Sequence, residues 1–483
     1  MKKNGIVQNF IYNLSYQILI VIVPLITTPY VSRVLKPDGV GIYSYTYTIA
    51  AVFALFVSLG ISSYGQREIA YKQDLIEERS RIFWELCSIR ILTVTVVSVI
   101  YLLIAAFYKE YKVFLLLQYF LIIAEMFDIS WYFRGMEDFK VVVKRNIVIK
   151  LLATVCIFVF VRTEGDVWKY VLFNSLSVLI SNLILMTYVK NSIIRVNFKK
   201  LNFQRHIRGI IELFIPLIAV QIYSNLDKIM LGAIIQNNVE NGYFEQARKI
   251  ANLLVTVVVS LNSVMFSRIA YLYATKKNKE EFIFLYKRIL KIIWMILLPM
   301  CFGLFAISDN FVIWFFGEEY SSVSILLKIS CPLIIFSAVG NFVGQQYLNP
   351  TGQQNKATVA YITAAVVNIA LNVLLIPIFS SVGALLASNV AEFISCGIQI
   401  RYLKKSDYNF KLSENLYKYV ISAMIMLISI YLINSILSFS PFMTSMLDII
   451  LGAFIYFAML FVLRDEIIGF GISKISKKAW LKN

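Results

Sequence analysis

Charged and amide side chains recur at helical spacing inside a long apolar stretch near residue 250. Glu245, Arg248 and Asn252 are three and four residues apart, and Thr256 continues the series. This spacing places all four side chains on one face of a helix. An arginine on such a face can bind an oxyanion through two parallel hydrogen bonds. The pattern therefore indicates a site for an anionic group inside an apolar layer.

The preceding apolar stretch carries a second polar face. Gln221, Asn225 and Lys228 follow each other at helical spacing, and Asp227 lies beside them. Gln221, Asn225 and Lys228, together with Arg248 and Asn252, are the candidates for a substrate-binding cavity. Arg33, at the end of the first apolar stretch, could join them or could be an interfacial arginine whose charged end reaches the membrane surface.

The charges of these two faces also allow a purely structural interpretation. Asp227 could pair with Arg248, and Lys228 could pair with Glu245, in antiparallel neighbouring helices. Such ion pairs would lock the two helices together without binding a ligand. The residues alone leave both interpretations open.

Four carboxylates inside apolar stretches are candidates for ion coupling. They are Asp227, Glu245, Glu125 and Glu392. A charged group within a membrane span costs at least about 2.5–3.5 kcal/mol, so such groups face a cavity or one another. Hydrogen bonding between packed helices explains these carboxylates equally well.

The elements that carry these residues are membrane helices. Of the 483 residues, 59% are hydrophobic and 15% are charged, against about 45–50% and about 25% in ordinary globular domains. Apolar segments of about 20 residues recur along the whole chain. We predict an all-α polytopic membrane protein with fourteen spans: 9–32, 40–64, 82–107, 113–133, 146–161, 167–189, 209–233, 241–266, 282–307, 321–347, 357–378, 383–403, 415–436 and 442–463.

The basic residues set the predicted orientation. Most of the 46 Lys and Arg residues fall in the loops and tails on the side of the two termini, so both termini are predicted to be cytoplasmic. This asymmetry explains the net charge of +18 without a nucleic-acid partner. His206 is the one histidine, and the five cysteines are widely spaced. Neither a metal site nor another cofactor nor a catalytic centre is expected, so the chain is not predicted to be an enzyme.

An internal repeat predicts the domain organisation. Val23-Pro24-Leu25-Ile26 matches Ile215-Pro216-Leu217-Ile218, and further matches pair Gly41 with Gly242 and Arg67 with Arg268. Ordered matches over six spans predict two pseudo-twofold related six-helix bundles. The predicted domains are residues 1–200, residues 201–410, and residues 411–483 with two additional spans and a tail. Arg67 and Arg268 either anchor the cytoplasmic ends of their helices or form a mouth for an incoming anion.

Four motifs in chain order resemble those of the Wzx-type oligosaccharide flippases, in the polysaccharide transport branch of the multidrug/oligosaccharidyl-lipid/polysaccharide (MOP) exporter superfamily. They are PLITTPYVSRVLKPDGVGIYSY (24–45), WYFRGMEDFKVVVKRN (131–146), NLDKIMLG (225–232) and NKATVAYITAAVVNIALNVLLIPIFSSVGALLASNVAE (355–392). The resemblance extends from about residue 5 to 465. One departure is Leu35-Lys36 where the family commonly has Leu-Gly.

The resemblance implies a transport function and assigns roles to residues. It implies that undecaprenyl-pyrophosphate-linked oligosaccharide is flipped to the outer leaflet of the bacterial cytoplasmic membrane by alternating access, with the lipid bilayer and a polysaccharide polymerase as partners. It implies a cavity lining of Arg33, Lys228 and Arg248. At the cytoplasmic mouth it implies Arg67, Arg134 and Arg268, and for some members ion coupling.

Two other functions stay open at this point. A cation or drug antiporter of the multidrug branch would have twelve spans and a more acidic cavity. A membrane polysaccharide polymerase would carry a sizeable outer loop, which the predicted spans do not leave room for. The sequence does not indicate whether the glycan belongs to O-antigen, capsule, exopolysaccharide or a teichoic-type polymer.

Overall fold

The structure is a computed structural model that describes residues 3–190, 192–197, 201–275, 279–405, 415–437 and 439–469. Within these ranges all regular secondary structure is helical. Side chains are also described, except at residues 3–18, 216, 219, 220, 222–224, 261–268, 270, 271, 274, 275 and 279. The predicted all-α class is confirmed.

Fourteen α-helices lie within the described residues, and α2 falls mostly in a predicted loop. The other helices carry the predicted spans in chain order: α1 and α12 each contain two spans, whereas α4 and α5 share one. The helices are α1 (Lys3–Ser58), α2 (Ile61–Tyr71), α3 (Ile76–Phe107), α4 (Lys112–Met126), α5 (Ser130–Gly135), α6 (Phe139–Phe160), α7 (Val167–Val189), α8 (Gln204–Ile235), α9 (Asn238–Thr275), α10 (Lys279–Phe315), α11 (Val323–Val343), α12 (Gln354–Lys404), α13 (Leu416–Ile436) and α14 (Pro441–Val462).

The two long helices break where the sequence separates their spans. In α1 the break lies at Lys36, with φ 59° and ψ 174°, directly before Pro37, whose ring disfavours a helical conformation of the preceding residue. In α12 the break lies at Ser380, with φ 50°. Both residues fall in the gaps predicted between consecutive spans, so each long helix contains a sharp turn.

The predicted span 113–133 is not one helix. It is divided after Met126, and a new helix begins at Ser130. The Asp128 Oδ1 atom accepts a hydrogen bond from the backbone N–H of Ser130, two residues further on, at 3.0 Å, and a side-chain bond of this kind stabilises a turn in place of a continued helix. The predicted loop 65–81 is also largely helical, because it contains most of α2 and the first turns of α3.

The chain divides into two compact units, residues 1–242 (the first unit) and residues 243–483 (the second unit). The first unit includes α8 and the first residues of α9. The predicted domain boundaries near residues 200 and 410 stay a prediction. Among the described residues, nine helical segments are long and apolar enough to cross a membrane. Together they indicate a multi-pass membrane protein.

Two glycines allow a close backbone approach inside the first unit. A Cβ atom on Gly41 would lie 1.7 Å from the carbonyl oxygen of Asn238, and one on Gly242 would lie 2.1 Å from that of Pro37. Any larger residue would force the helices apart. These are the two glycines that the internal repeat pairs.

Candidate functional site

A cavity of about 460 Å³ lies inside the first unit. It lies between helices α4, α6 and α7 and the two parts of α1 that precede and follow the break at Lys36. Its lining is mixed, with apolar side chains from α1 and α4 and polar side chains mainly from α6 and α7. The lining residues are Ile20, Pro24, Tyr47, Leu121, Glu125, Asp128, Arg145, Asn146, Ile149, Lys150, Asn174, Ser177, Val178, Ser181 and Asn182.

Arg145 is the best-anchored cation of this cavity. Its side chain is buried, and its Nη1 atom donates to the carbonyl oxygen of Ser181 at 2.8 Å. Its Nη2 and Nε atoms donate to the Oδ1 atom of Asn146 at 2.6 and 3.1 Å. Asn182 accepts a longer hydrogen bond of 3.4 Å from Nη1. These bonds fix the first turns of α6 against α7.

Helix α7 contributes a polar face to the cavity. Asn174, Ser177 and Ser181 are three and four residues apart and therefore share one face of the helix. The Asn174 Nδ2 atom donates to the carbonyl oxygen of Tyr170 at 2.8 Å, so its Oδ1 atom can accept a hydrogen bond from a ligand. Asn182 donates to the carbonyl oxygen of Ala124 at 2.9 Å, which ties α7 to α4.

Two carboxylates of the cavity differ in their surroundings. Asp128 accepts from the backbone of Ser130 and lies 4.0 Å from the Nη1 atom of Arg90, which also donates to the Asp128 carbonyl oxygen. Glu125 is half-buried and interacts electrostatically with Asp128 and Arg90. Among the described residues, no side chain or backbone group hydrogen bonds to the Glu125 carboxylate.

The ammonium group of Lys150 likewise has no hydrogen-bond or ion-pair partner within the described part of the chain, although it lines the same cavity. Lys150 is exposed, and it lines this cavity together with Glu125 and Asp128. Of the residues predicted as sites, Glu125 is the one that lines it.

The remaining predicted residues of the first unit lie elsewhere on it. Arg33 is exposed. Arg67 is also exposed, pairs with Glu68 at 3.2 Å and lies over the ring of Tyr64. The Nη2 atom of Arg134 donates to the Ser130 hydroxyl at 3.0 Å.

The polar face predicted at residues 221–228 belongs to α8 in the first unit. Gln221 is exposed, and its Oε1 atom accepts a hydrogen bond from Asn225 Nδ2 at 3.0 Å. Asp227 is buried and Lys228 is half-buried. The substrate-binding roles of these residues stay a prediction.

The predicted residues of the second unit lie on α9 and α12. Glu245 and Arg248 are half-buried, Asn252 is exposed and Glu392 is half-buried. The Nη1 atom of Arg248 is buried without a hydrogen-bond partner among the described residues. The side chain of Arg268 lies outside the described residues.

The sequence does not predict a site at Arg145, Asn146 or the polar face of α7. Arg145 directly precedes a predicted span, a position that predicts a cytoplasmic loop, although its side chain is buried. The available signal was the series Asn174, Ser177 and Ser181, whose spacing marks one helical face. Serines and asparagines within an apolar span give a weaker signal than charges, because they are common in helix packing.

A second buried polar cluster lies near the start of α8. Glu85 accepts hydrogen bonds from the His206 Nε2 atom at 2.8 Å and from the Asn202 backbone N–H at 2.6 Å. The Tyr64 hydroxyl lies 2.9 Å from the other ring nitrogen of His206. Burial lowers the pKa of His206, although its hydrogen bond to Glu85 opposes this effect. The cluster anchors the start of α8 to α2 and α3.

Comparison with known proteins identifies the class of fold. The solved structure of "Lipid II flippase MurJ, inward closed conformation" superposes with a TM-score of 0.74 at 15% identity, over 95% of this chain and all of that chain. An inward-facing multidrug resistance MATE family transporter of the MOP superfamily gives a TM-score of 0.62 at 15% identity, over 82% of this chain and 99% of the other. The fold is therefore that of the MOP exporters.

The sequence models of two families match large parts of the chain. That of the polysaccharide biosynthesis protein family matches residues 6–272, and that of the lipid II flippase MurJ matches residues 150–452. The chain belongs to the polysaccharide biosynthesis protein family. The resemblance seen in the sequence is thus confirmed.

Two curated relatives carry transporter names. A putative O-antigen transporter of Escherichia coli is 23% identical over 405 residues, which cover 83% of this chain and 97% of the relative. A probable low-salt glycan biosynthesis flippase, Agl15, of Haloferax volcanii is 26% identical over 184 residues, 38% of each chain. The names of both relatives describe transport and not catalysis. They support the prediction that this chain is not an enzyme.

Proposed function

We propose that this protein flips undecaprenyl-pyrophosphate-linked oligosaccharide from the cytoplasmic to the outer leaflet of the bacterial cytoplasmic membrane, for the synthesis of cell-surface polysaccharide. The observation that carries this proposal is the match to an O-antigen transporter over 97% of that protein's length. The family match and the MurJ-like fold support the same function. The drug-antiporter alternative has the support of fold similarity alone.

The physical requirement for such a protein follows from the substrate. A polyprenyl tail can stay in the lipid, but a pyrophosphate with attached sugars cannot cross hydrocarbon without compensation of its charge and its hydrogen bonds. Alternating access would open a wet, basic passage to one side of the membrane at a time. In this arrangement fourteen spans place both termini, and most basic loops, on the cytoplasmic side.

Within this proposal the predicted residues have four roles. Arg33, Lys228 and Arg248 neutralise the pyrophosphate. The Nη1 atom of Arg248, which is buried and has no hydrogen-bond partner among the residues that the structure describes, supports this role, because a buried guanidinium donor needs an acceptor. The amides of Gln221, Asn225 and Asn252 assist these cations. The arginines of the cytoplasmic mouth are Arg67, Arg134 and Arg268. The carboxylates for ion coupling are Asp227, Glu245, Glu125 and Glu392. A polysaccharide polymerase would take the flipped product.

The proposal is tested by the sidedness of the lipid-linked oligosaccharide in spheroplasts. Depletion of the protein should leave the oligosaccharide complete but confined to the inner leaflet, and Arg248→Ala should do the same at equal protein level. Arg208→Ala is the matched control, because Arg208 is highly exposed and pairs with Glu212 on the surface of α8. Oligosaccharide that still reaches the outer leaflet while polymer fails to lengthen would support the polymerase alternative and contradict the flippase.

A further inference from the structure

The cavity of the first unit has two kinds of wall. Ile20, Pro24 and Leu121 supply apolar surface and Tyr47 supplies an aromatic ring, whereas α6 and α7 supply cations, amides and hydroxyls. Small-molecule sites combine apolar surface with a few converging polar groups in this way. A sugar ring fits both walls, because its C–H faces are apolar and its hydroxyls donate and accept hydrogen bonds.

Two side chains of opposite charge in the cavity can hydrogen bond to a ligand. Lys150 and Glu125 both line it, and neither the Lys150 ammonium nor the Glu125 carboxylate forms a hydrogen bond with any group that the structure describes, although Glu125 interacts electrostatically with Arg90 and Asp128. Ionised groups within a span are costly unless they are paired or hydrogen bonded. A ligand that offers an acceptor to Lys150 and a hydroxyl donor to Glu125 would satisfy both.

The polar wall around these two charges is already positioned. Arg145 holds Asn146 and Ser181 through hydrogen bonds of 2.6–2.8 Å, and the Oδ1 atom of Asn174 is available as an acceptor, since its Nδ2 atom is used within α7. Arg145 is therefore a positioning residue. A ligand entering the cavity meets side chains whose orientation is set before it binds, which reduces the entropy cost of binding.

The volume of the cavity separates a saccharide from an ion. A water molecule takes about 30 Å³ of liquid volume, whereas this cavity measures about 460 Å³. It falls within the range of about 300–1,000 Å³ that is typical of small-molecule sites. A site for a single cation or proton would not need this space.

We propose that this cavity binds an anionic saccharide unit, with the carboxylate or phosphate at Lys150 and the ring hydroxyls at Glu125 and Asn174. The inference rests on the proposed function, because the saccharide would be part of the flipped substrate. The same chemistry has two sources: the sugar attached to the lipid pyrophosphate, or an acidic sugar within the repeat unit. Through this site the first unit of the transporter would recognise the saccharide of its substrate.

The test uses the purified full-length protein in detergent and four soluble probes: glucose 1-phosphate, glucuronate, glucose and inorganic phosphate. The thermal midpoint should rise with glucose 1-phosphate or with glucuronate, and rise less with glucose or phosphate alone. A response to glucose 1-phosphate assigns the pyrophosphate-linked sugar, and a response to glucuronate assigns an acidic sugar in the repeat unit. Lys150→Met should weaken the effective probe about tenfold or more, as expected for the loss of a charge-assisted hydrogen bond.

Matched variants keep the result specific. Lys140→Met removes an exposed lysine of the same helix and should leave probe binding unchanged. Lys150→Arg should retain part of the affinity because it keeps the charge. Glu125→Gln should weaken binding of the sugar probes without weakening the response to phosphate.

Several outcomes would overturn the inference. Equal responses to glucose 1-phosphate and inorganic phosphate would show an anion site that ignores the sugar. A response to glucose that does not depend on Lys150, or no response to any probe, would also contradict it. Probe binding needs no transport, so the two proposals can fail separately. If the wild-type protein does not flip the lipid in spheroplasts, the proposed function is wrong. If it flips the lipid but binds none of the probes, the saccharide site is wrong.

Discussion

The two units of the chain bury different kinds of polar side chain. In the first unit Glu85, Arg90 and Arg145 are buried, all of them ionisable. In the second unit the buried ionisable side chains are the carboxylates Asp448 and Asp465, and the buried polar side chains of α12 are amides and hydroxyls, among them Asn368 and Gln399. Among the described residues, the buried arginines therefore lie in the first unit alone.

The ion pairs of the two units show the same difference. The carboxylate of Glu85 is fully buried beside His206. In the second unit, Lys291 pairs with Glu466 and Lys328 pairs with Asp309, and both carboxylates are more than half exposed. Buried charges are costly unless they are paired and hydrogen bonded. The comparison thus indicates that the packing of the first unit depends more on buried charged networks than that of the second.

The largest expected effect comes from the most buried carboxylate. Glu85→Ala leaves the Asn202 backbone N–H and the His206 ring without their acceptor. Breaking a buried charged network by removing one partner costs about 3–5 kcal/mol. We expect a strongly lowered thermal midpoint of the protein in detergent, measured by intrinsic fluorescence.

A surface carboxylate provides the control for this variant. Glu212 forms an exposed ion pair with Arg208 at 2.9 Å, and exposed pairs contribute about 0–1 kcal/mol. Glu212→Ala should therefore leave the midpoint nearly unchanged. Equal destabilisation by Glu85→Ala and Glu212→Ala would mean that the Glu85 cluster does not stabilise the first unit.

The next largest effect is expected at Arg145. Arg145→Met keeps most of the side-chain volume but removes the donors to Asn146 and Ser181, and hydrogen bonds to a charged group contribute about 1.5–3 kcal/mol each. We expect a moderate loss of thermal stability together with weaker binding of the saccharide probes. Unchanged probe binding in a folded Arg145→Met protein would contradict its positioning role.

The fold was largely predictable from the sequence because the membrane leaves few choices. Long apolar segments can only be helices in a bilayer, and the breaks at Lys36 and Ser380 fall in the predicted gaps. The division of the span at residues 113–133 was not predictable from hydropathy. It depends on a local hydrogen bond between Asp128 and Ser130 within a continuous apolar stretch.

The candidate site was predictable only in part. Glu125 was recognised because a carboxylate in an apolar span is conspicuous. Arg145 was not, since position along the chain suggested a solvated loop end, and its burial depends on the Asn146, Ser181 and Asn182 oxygens that α6 and α7 bring to it. Hydropathy gives the average apolar character of one segment at a time. This cavity results from contacts between four helices, which hydropathy does not describe.

A smaller effect is expected for a buried amide of the second unit. The Gln399 Nε2 atom donates to the Ser395 hydroxyl at 3.3 Å, within α12. Replacement of a neutral hydrogen-bonding group by an apolar side chain of similar shape can be nearly neutral, so Gln399→Met should change the free energy of unfolding by about 1 kcal/mol or less. A loss as large as that of Arg145→Met would remove the proposed contrast between the two interiors.

The smallest effect concerns pH and the surface pair of Lys291 with Glu466, 2.8 Å apart. The ammonium of Lys291 lowers the pKa of the Glu466 carboxyl, so the pair stabilises the folded state above the unfolded-state pKa, about 4.3, and this contribution is lost as the pH falls through the lowered folded-state pKa. Glu466 is largely exposed, so the gain is about 0.5 kcal/mol or less. Wild type should therefore be slightly more stable than Glu466→Gln at pH 7, and the two should become equal in acid. A difference that persists at low pH, or one that rivals Glu85→Ala, would show that the second unit also depends on an ion pair for its stability.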